Sequence, residues 1–232
     1  MIRTLISPHG SIKIQEDSDT HPFSPLAQLA LDHLPLTKGL NVLDLGTGSG
    51  VYAIIAAQMG CTVLGTDIHE EILAKAQENA TVNGISGIEW KKTPYFEGLE
   101  GRKFDLIVAN LPQTPAPKPI SLAKWGGPFG RSHLEIVLRS APLYLYSGGI
   151  LILTQLGLSG FPERFRWVSP FFEIKILGEL KRRLSLEEYE QHQPGLWNYL
   201  MDLRAQGESE ILEDSGHYFC YGRIFQYKKH SS

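Results

Sequence analysis

The chain has 232 residues, 42% of them hydrophobic and 20% charged, a balance that excludes a disordered or fibrous polymer and leaves room for a sizeable core. The formal net charge of -3 argues against a broad polyanion-binding surface, though not against a local basic patch. Cys61 and Cys220 form no CxxC pair, the first residues lack a signal-peptide core, and the most apolar late stretch (148–158) is too short and polar to cross a bilayer, so a soluble chain in the cytoplasm is expected.

The first 40 residues read as an extension. Arg3 to Gln15 suits a hairpin turning at Pro8-His9-Gly10, and Pro25 to Leu34 a helix. From residue 41 strand and helix patterns alternate. Asn41 to Leu45 is a buried strand, Val51 to Met59 a helix, and Cys61 to Thr66 a second strand. A helix follows over 70–83, closed by Gly84. Ile88 to Trp90 is a brief third strand and Phe104 to Ala109 a continuous apolar fourth. His133 to Tyr144 is a helix interrupted by Pro142, and Ile150 to Thr154 a fifth strand. This rhythm predicts right-handed crossovers and a parallel sheet. Two further strands are expected at 171–177 and 218–227. Between them, Leu180 to Asp214 is charged, mostly helical in pattern and too long for a simple connection, so it reads as a helical insertion in a domain spanning 41–232.

The run Asp44-Leu-Gly-Thr-Gly-Ser-Gly50 joins the first core strand to its helix. A strand that enters a helix through a glycine turn lets a ligand approach the backbone closely and meet free N–H groups. Gly46, Gly48 and Gly50 do not fit a dinucleotide fingerprint, which needs its third glycine where Val51 stands. The second strand ends at Asp67, about 20 residues beyond the turn, where a carboxylate can take two ribose hydroxyls. Together these suit an adenosine-containing cofactor with a ribose and no diphosphate.

Val42 to Gly50, VLDLGTGSG, resembles the cofactor motif of the class I S-adenosylmethionine-dependent methyltransferases, and GTDI at 65–68 is similar to that family's acidic second-strand end. The likeness covers roughly residues 24–155. It implies an α/β three-layer sandwich, Rossmann-like, around a seven-stranded and mostly parallel sheet whose last two strands form an antiparallel hairpin. It also implies S-adenosyl-L-methionine as cofactor, with Asp44, Gly46, Thr47, Gly48 and Gly50 at the methionine end and Asp67 and Ile68 along the nucleoside. The acid that often reads adenine after the third strand is absent from Lys92-Thr-Pro-Tyr-Phe96. Backbone near Pro94 and Tyr95, or the Tyr95 ring, is expected there instead.

The fourth strand runs into Asn110-Leu111-Pro112-Gln113. Ligands lie outside the carboxyl ends of parallel strands, so Asn110 is expected beside the transferable methyl. Its side-chain carbonyl and a backbone carbonyl such as that of Leu111 can accept the two N–H bonds of an amine or amide and aim the nitrogen. NLPQ resembles the Asn-Pro-Pro-Tyr motif of methyltransferases acting on exocyclic amino groups and glutamine amides. Gly126-Gly-Pro-Phe-Gly130 is similar to a glycine loop of HemK-like protein-glutamine methyltransferases. Two departures stand out: Leu111 replaces the first proline, and Gln113 replaces the aromatic that stacks on a planar target. Asn110, Leu111, Pro112 and Gln113 are the catalytic candidates. The proline-rich loop to Gly130 offers Trp125 and Phe129 as substrate contacts, joined by Phe23 from the extension and by Trp197, with Tyr199, from the insertion.

The resemblance leaves three acceptor classes open: a protein side-chain nitrogen, an RNA or DNA base, and a small amine. A non-catalytic cofactor-binding subunit of a partner is a fourth reading. The acidic balance and the missing aromatic favour a protein or small molecule over nucleic acid. No His or Cys spacing suggests a metal site, neither cysteine lies in a nucleophile motif, and no membrane partner is expected. The composition does not reach the oligomeric state.

Overall fold

The computed structural model describes residues 2–15, 23–121 and 123–231; His21 and the rest of 16–22 in the N-terminal extension lie outside them. Strands β1 (Ile2–Ser7) and β2 (Gly10–Gln15) form an antiparallel hairpin, followed by α1 (Pro25–Asp32). The central unit comprises β3 (Asn41–Leu45), α2 (Val51–Gln58), β4 (Thr62–Asp67), α3 (Glu70–Val82), β5 (Glu89–Lys92), β6 (Phe104–Ala109), α4 (Ser132–Tyr144) and β7 (Leu145–Leu156). Then come β8 (Phe172–Arg183), α5 (Leu186–His192), α6 (Leu196–Ala205), β9 (Leu212–Asp214) and β10 (His217–Lys229).

The sheet order is β5-β4-β3-β6-β7-β10-β8, with β9 attached to β10. β5, β4, β3, β6 and β7 run parallel, while β10 is antiparallel to β7, β8 and β9. Reversal at β3, with β4 on one side and β6 on the other, makes the carboxyl ends of these three strands the crevice where an open α/β sheet binds ligands.

Strand β3 forms because a run of Val42, Leu43 and Leu45 is buried on both faces of the sheet. Helix α2 is apolar all round, with Val51 to Ala56 buried throughout, because the hairpin residues Leu5, Ile12 and Ile14 cover it in a core shared with α1 and one face of the sheet. The opposite face packs under α4, with Leu134, Val137, Leu138 and Ala141 against Leu43, Ile107 and Leu151. A third cluster joins α5 and α6 to Ala116, Leu158 and Cys220.

Two expected boundaries move. The fifth parallel strand starts at Leu145 rather than Ile150, because Gly148 turns left-handed at φ 75° and β7 absorbs a register shift against Phe104 and Leu106. The region expected to be helical from Leu180 begins as strand: β8 continues to Arg183, pairing Leu180 with Gly222 and Arg183 with Phe219. Alternating charge on a solvated edge strand imitates the charge of a surface helix, and the length of β10 supplies the partner that sequence periodicity cannot reveal. Helix begins only at Leu186, after Ser185 accepts from the Glu188 N–H as cap.

Candidate active site at the carboxyl ends of the parallel strands

The chain leaves β3 through a turn pinned by the Thr47 N–H, which donates to the Thr66 carbonyl of β4 at 2.7 Å. Gly46 sits at φ 73°, and a Cβ there would meet Leu111 Cδ2 at 2.6 Å. The turn therefore needs glycine both for its conformation and because Leu111 lies against it. Gly48, at φ 54°, has nothing within 4 Å of a built Cβ, so the rim is open there.

Asp44 lies beneath the turn, 1% exposed. Its Oδ2 accepts from Thr47 Oγ1 at 2.6 Å and from the Ala53 N–H at 3.0 Å, while Oδ1 is buried with no partner. Burial pushes its carboxyl up to about 7; the two hydrogen bonds oppose this and the nearby Asp67 charge adds to it. Asp67, at the end of β4, accepts from the Gly48 N–H at 3.2 Å and the His69 N–H at 3.1 Å. Ile68 beside it is 48% exposed, a large apolar surface next to a polar cradle.

Asn110 follows β6. Its Oδ1 accepts from Thr154 Oγ1 of β7 at 2.7 Å. Gln113 does not face outward: it is 4% exposed. Its Nε2 donates to the Thr154 carbonyl at 3.0 Å, to Thr154 Oγ1 at 3.2 Å and to the Leu111 carbonyl at 3.3 Å, and its Oε1 accepts from the Leu156 N–H at 2.7 Å. These bonds hold its amide against β7. Pro112 is half-buried between them.

Tyr95 occupies the left-handed region at φ 49°, unusual for a non-glycine residue. Its hydroxyl pairs with His133 Nδ1 at 2.6 Å, and His133 Nε2 pairs with the Trp125 carbonyl at 3.0 Å. The ring thus joins the loop after β5 to the proline-rich loop. Trp125 Nε1 donates to the Ala116 carbonyl, and the Tyr199 hydroxyl to the Pro128 carbonyl, so α6 braces this loop. Trp197 packs among Tyr189 and Tyr218. Phe23 is buried against Tyr52. Of the five aromatic candidates, Phe129 presents the most surface, 40% exposed under the Arg131 guanidinium.

Sequence reasoning missed Thr154 and His133. A threonine inside the apolar run Ile150 to Leu156 was a usable signal for Thr154; nothing local marked His133. A cavity of about 270 Å3 opens at the opposite end of the strands among Asn41, Thr62, Arg102 and Tyr146; its lining carries no carboxylate, imidazole or thiol. Among the described residues, no cluster of three or more His, Cys, Asp and Glu could hold a metal ion, and no helix is long and apolar enough to cross a membrane.

Residues 36–194 match the family model described as a methyltransferase domain. A protein of Methanocaldococcus jannaschii, provisionally named a protein N5-glutamine methyltransferase, is 32% identical over 161 residues, covering 66% of this chain and 81% of the relative. A ribosomal protein L11 methyltransferase of Lactobacillus delbrueckii subsp. bulgaricus is 46% identical over 92 residues; the match spans 39% of this chain and only 29% of the relative. Among solved structures, the T. thermophilus 16S rRNA N2 G1207 methyltransferase in complex with AdoMet and guanosine superposes with a TM-score of 0.63 at 17% identity, covering 98% of this chain and 50% of that one. That likeness establishes a shared fold. With the family model matched over most of its length, from ahead of the glycine turn to beyond the proline-rich loop, the chain belongs to the methyltransferase domain family.

Proposed function

We propose that this chain transfers a methyl group from S-adenosylmethionine to an amide or amino nitrogen of a protein side chain, in the manner of the HemK-like enzymes. The observation that carries the reading is the meeting of Asp44, the Gly46–Gly50 turn, Asp67 and Asn110 at one end of β3, β4 and β6.

The residues present fit that cofactor. Asp44 Oδ1 is a buried carboxylate oxygen without a partner, suited to the α-ammonium of a methionine moiety, which would hold the acid ionised. Asp67 keeps acceptor capacity beyond its two backbone N–H donors, suited to a ribose diol. Open space at Gly48 admits a ligand against the backbone, and the exposed Ile68 offers an apolar face to a base. We assign adenine contact to the backbone around Tyr95. When bound, the cofactor supplies a methyl carbon made electrophilic by an attached sulfonium.

The chain's own part is positioning. Asn110 Oδ1 accepts an N–H of the incoming nitrogen, so that its lone pair faces the methyl. Alignment of the two reactants supplies much of the acceleration. We assign acceptor selection to the loop 112–130, to the helices that brace it, and to residues 1–40. Three features favour a protein acceptor: the name of the M. jannaschii relative, the Gly126–Gly130 loop, and the absence of a ring at 113.

The test is incubation of the purified chain with methyl-labelled S-adenosylmethionine and cell lysate, followed by separate protease and nuclease digestion. Label lost to protease and retained after nuclease is the expected result. Nuclease-sensitive label would point to a base, and label of low mass to a small amine. S-adenosylhomocysteine binding without any label would favour a cofactor-binding subunit. Asn110→Ala is expected to abolish labelling while S-adenosylhomocysteine affinity stays within about twofold.

A further inference from the structure

An asparagine amide can face its surroundings either way round, and the two orientations have opposite chemistry: one presents an acceptor, the other two donors. The neighbours decide, and here their polarity can be read from the backbone outward. The Leu156 N–H can only donate, so the Gln113 atom facing it, at 2.7 Å, is the oxygen. The Thr154 carbonyl can only accept, so the Gln113 atom facing it, at 3.0 Å, is the nitrogen. That nitrogen's second proton is shared between Thr154 Oγ1 at 3.2 Å and the Leu111 carbonyl at 3.3 Å; the Thr154 hydroxyl accepts there and keeps its single proton for Asn110 at 2.7 Å. The atom of Asn110 that meets a donated proton is Oδ1.

Protons therefore run in one direction, from the β7 backbone through Gln113 and Thr154 to Asn110. Thr154 is 1% and Gln113 4% exposed, so water does not compete for the bonds between those two.

We infer that Gln113 and Thr154 are positioning residues, which lock the Asn110 amide so that its carbonyl oxygen, with one lone pair held by Thr154, keeps the second for an N–H of the methyl acceptor. This rests on the proposed role of Asn110. It also gives a reason for Gln113 at the place of a stacking aromatic: the side chain orients the clamp from behind, and the site selects a nitrogen by its protons rather than by a ring face.

Sinefungin, the cofactor analogue with a primary amine in place of the transferable methyl, probes this without a known acceptor. Calorimetry on the full chain compares its affinity with that of S-adenosylhomocysteine. The wild type is expected to prefer sinefungin by roughly tenfold, the worth of one hydrogen bond from a charged donor. Thr154→Val keeps the shape and deletes the proton; the ratio should fall to about one while S-adenosylhomocysteine affinity holds. Thr154→Ser should restore the preference. Gln113→Glu cannot donate to Thr154 and should lower the ratio by a second route. A purely structural role would weaken both ligands together and leave the ratio alone. A wild-type ratio in both Thr154→Val and Gln113→Glu overturns the inference. A wild-type ratio in Asn110→Ala overturns the role of Asn110 itself.

Discussion

At the scale of single residues, the role proposed for Asp44 predicts that binding is coupled to pH. Its folded pKa of about 7 stands above its ordinary 3.8, so between those values the folded chain holds a proton that the unfolded chain has released. Stability without ligand therefore declines as pH rises from about 4 to about 7, and is level above. Asp44→Asn removes this penalty and is expected to raise the melting temperature above pH 7, by about 2–4 °C for each kcal/mol recovered. The same substitution should weaken S-adenosylhomocysteine binding about tenfold or more, because a neutral amide no longer pairs with the ammonium. Wild-type affinity should itself fall below pH 7 as the carboxyl protonates. Melting curves and calorimetry between pH 5 and 9 check both; parallel pH profiles for the two proteins would end the argument. Asp44 was legible because its motif fixes its place. Gln113 was not: its neighbours in sequence say loop, and only the β7 backbone, some 40 residues on, turns it inward.

At the scale of elements, the glycine turn separates stability from binding. Gly50 starts α2 at φ 84°, and a Cβ there would meet Ala76 Cβ at 3.1 Å and Ala76 Cα at 3.3 Å. Helices α2 and α3 touch through this gap. Gly48 has the same handedness but open space. Gly50→Ala should therefore cost about 2–3 kcal/mol of unfolding free energy, backbone strain plus crowding, while Gly48→Ala costs about 1 kcal/mol of strain alone. Binding should run the other way: Gly48→Ala puts a methyl on the open rim and loses more S-adenosylhomocysteine affinity per unit of stability lost. Urea midpoints and calorimetry on the two variants separate these effects, and equal losses on both scales would refute the division. The parallel strands and their helices were legible because burial on both faces forces continuous apolar runs, such as Leu106 to Ala109. The far half of edge strand β8, Gly178 to Arg183, was not, because one of its faces meets water and its partner lies about 40 residues downstream.

At the scale of the whole molecule, the amino-terminal hairpin is tied to the site through one buried amide. Asn79 of α3 is 1% exposed; its Oδ1 accepts from the Gln15 N–H of β2 at 2.8 Å, and its Nδ2 donates to the Ser49 carbonyl of the glycine turn at 3.0 Å. Asn83, one helical turn on, both accepts from the Lys13 N–H and donates to the Lys13 carbonyl, at 2.7 Å each. Side-chain amides thus finish the open edge of a two-stranded sheet that would be marginal alone. Beneath it, Ile12 and Ile14 share the core with α2. Asn79→Ala removes the acceptor of the Gln15 N–H and the donor to the Ser49 carbonyl, both part-buried bonds, an expected cost of about 1–3 kcal/mol. Because the same amide serves hairpin and turn, hydrogen exchange should quicken at Gln15 and across residues 48–53 together, more than at residues 104–109 of β6. Asn83→Ala, whose side chain meets Lys13 of the hairpin and the Asn79 backbone carbonyl but not the turn, should quicken Lys13 and leave the turn protected. If Asn79→Ala loosened the hairpin without the turn, the amino-terminal segment would be a cover on the core rather than a support of the cofactor rim.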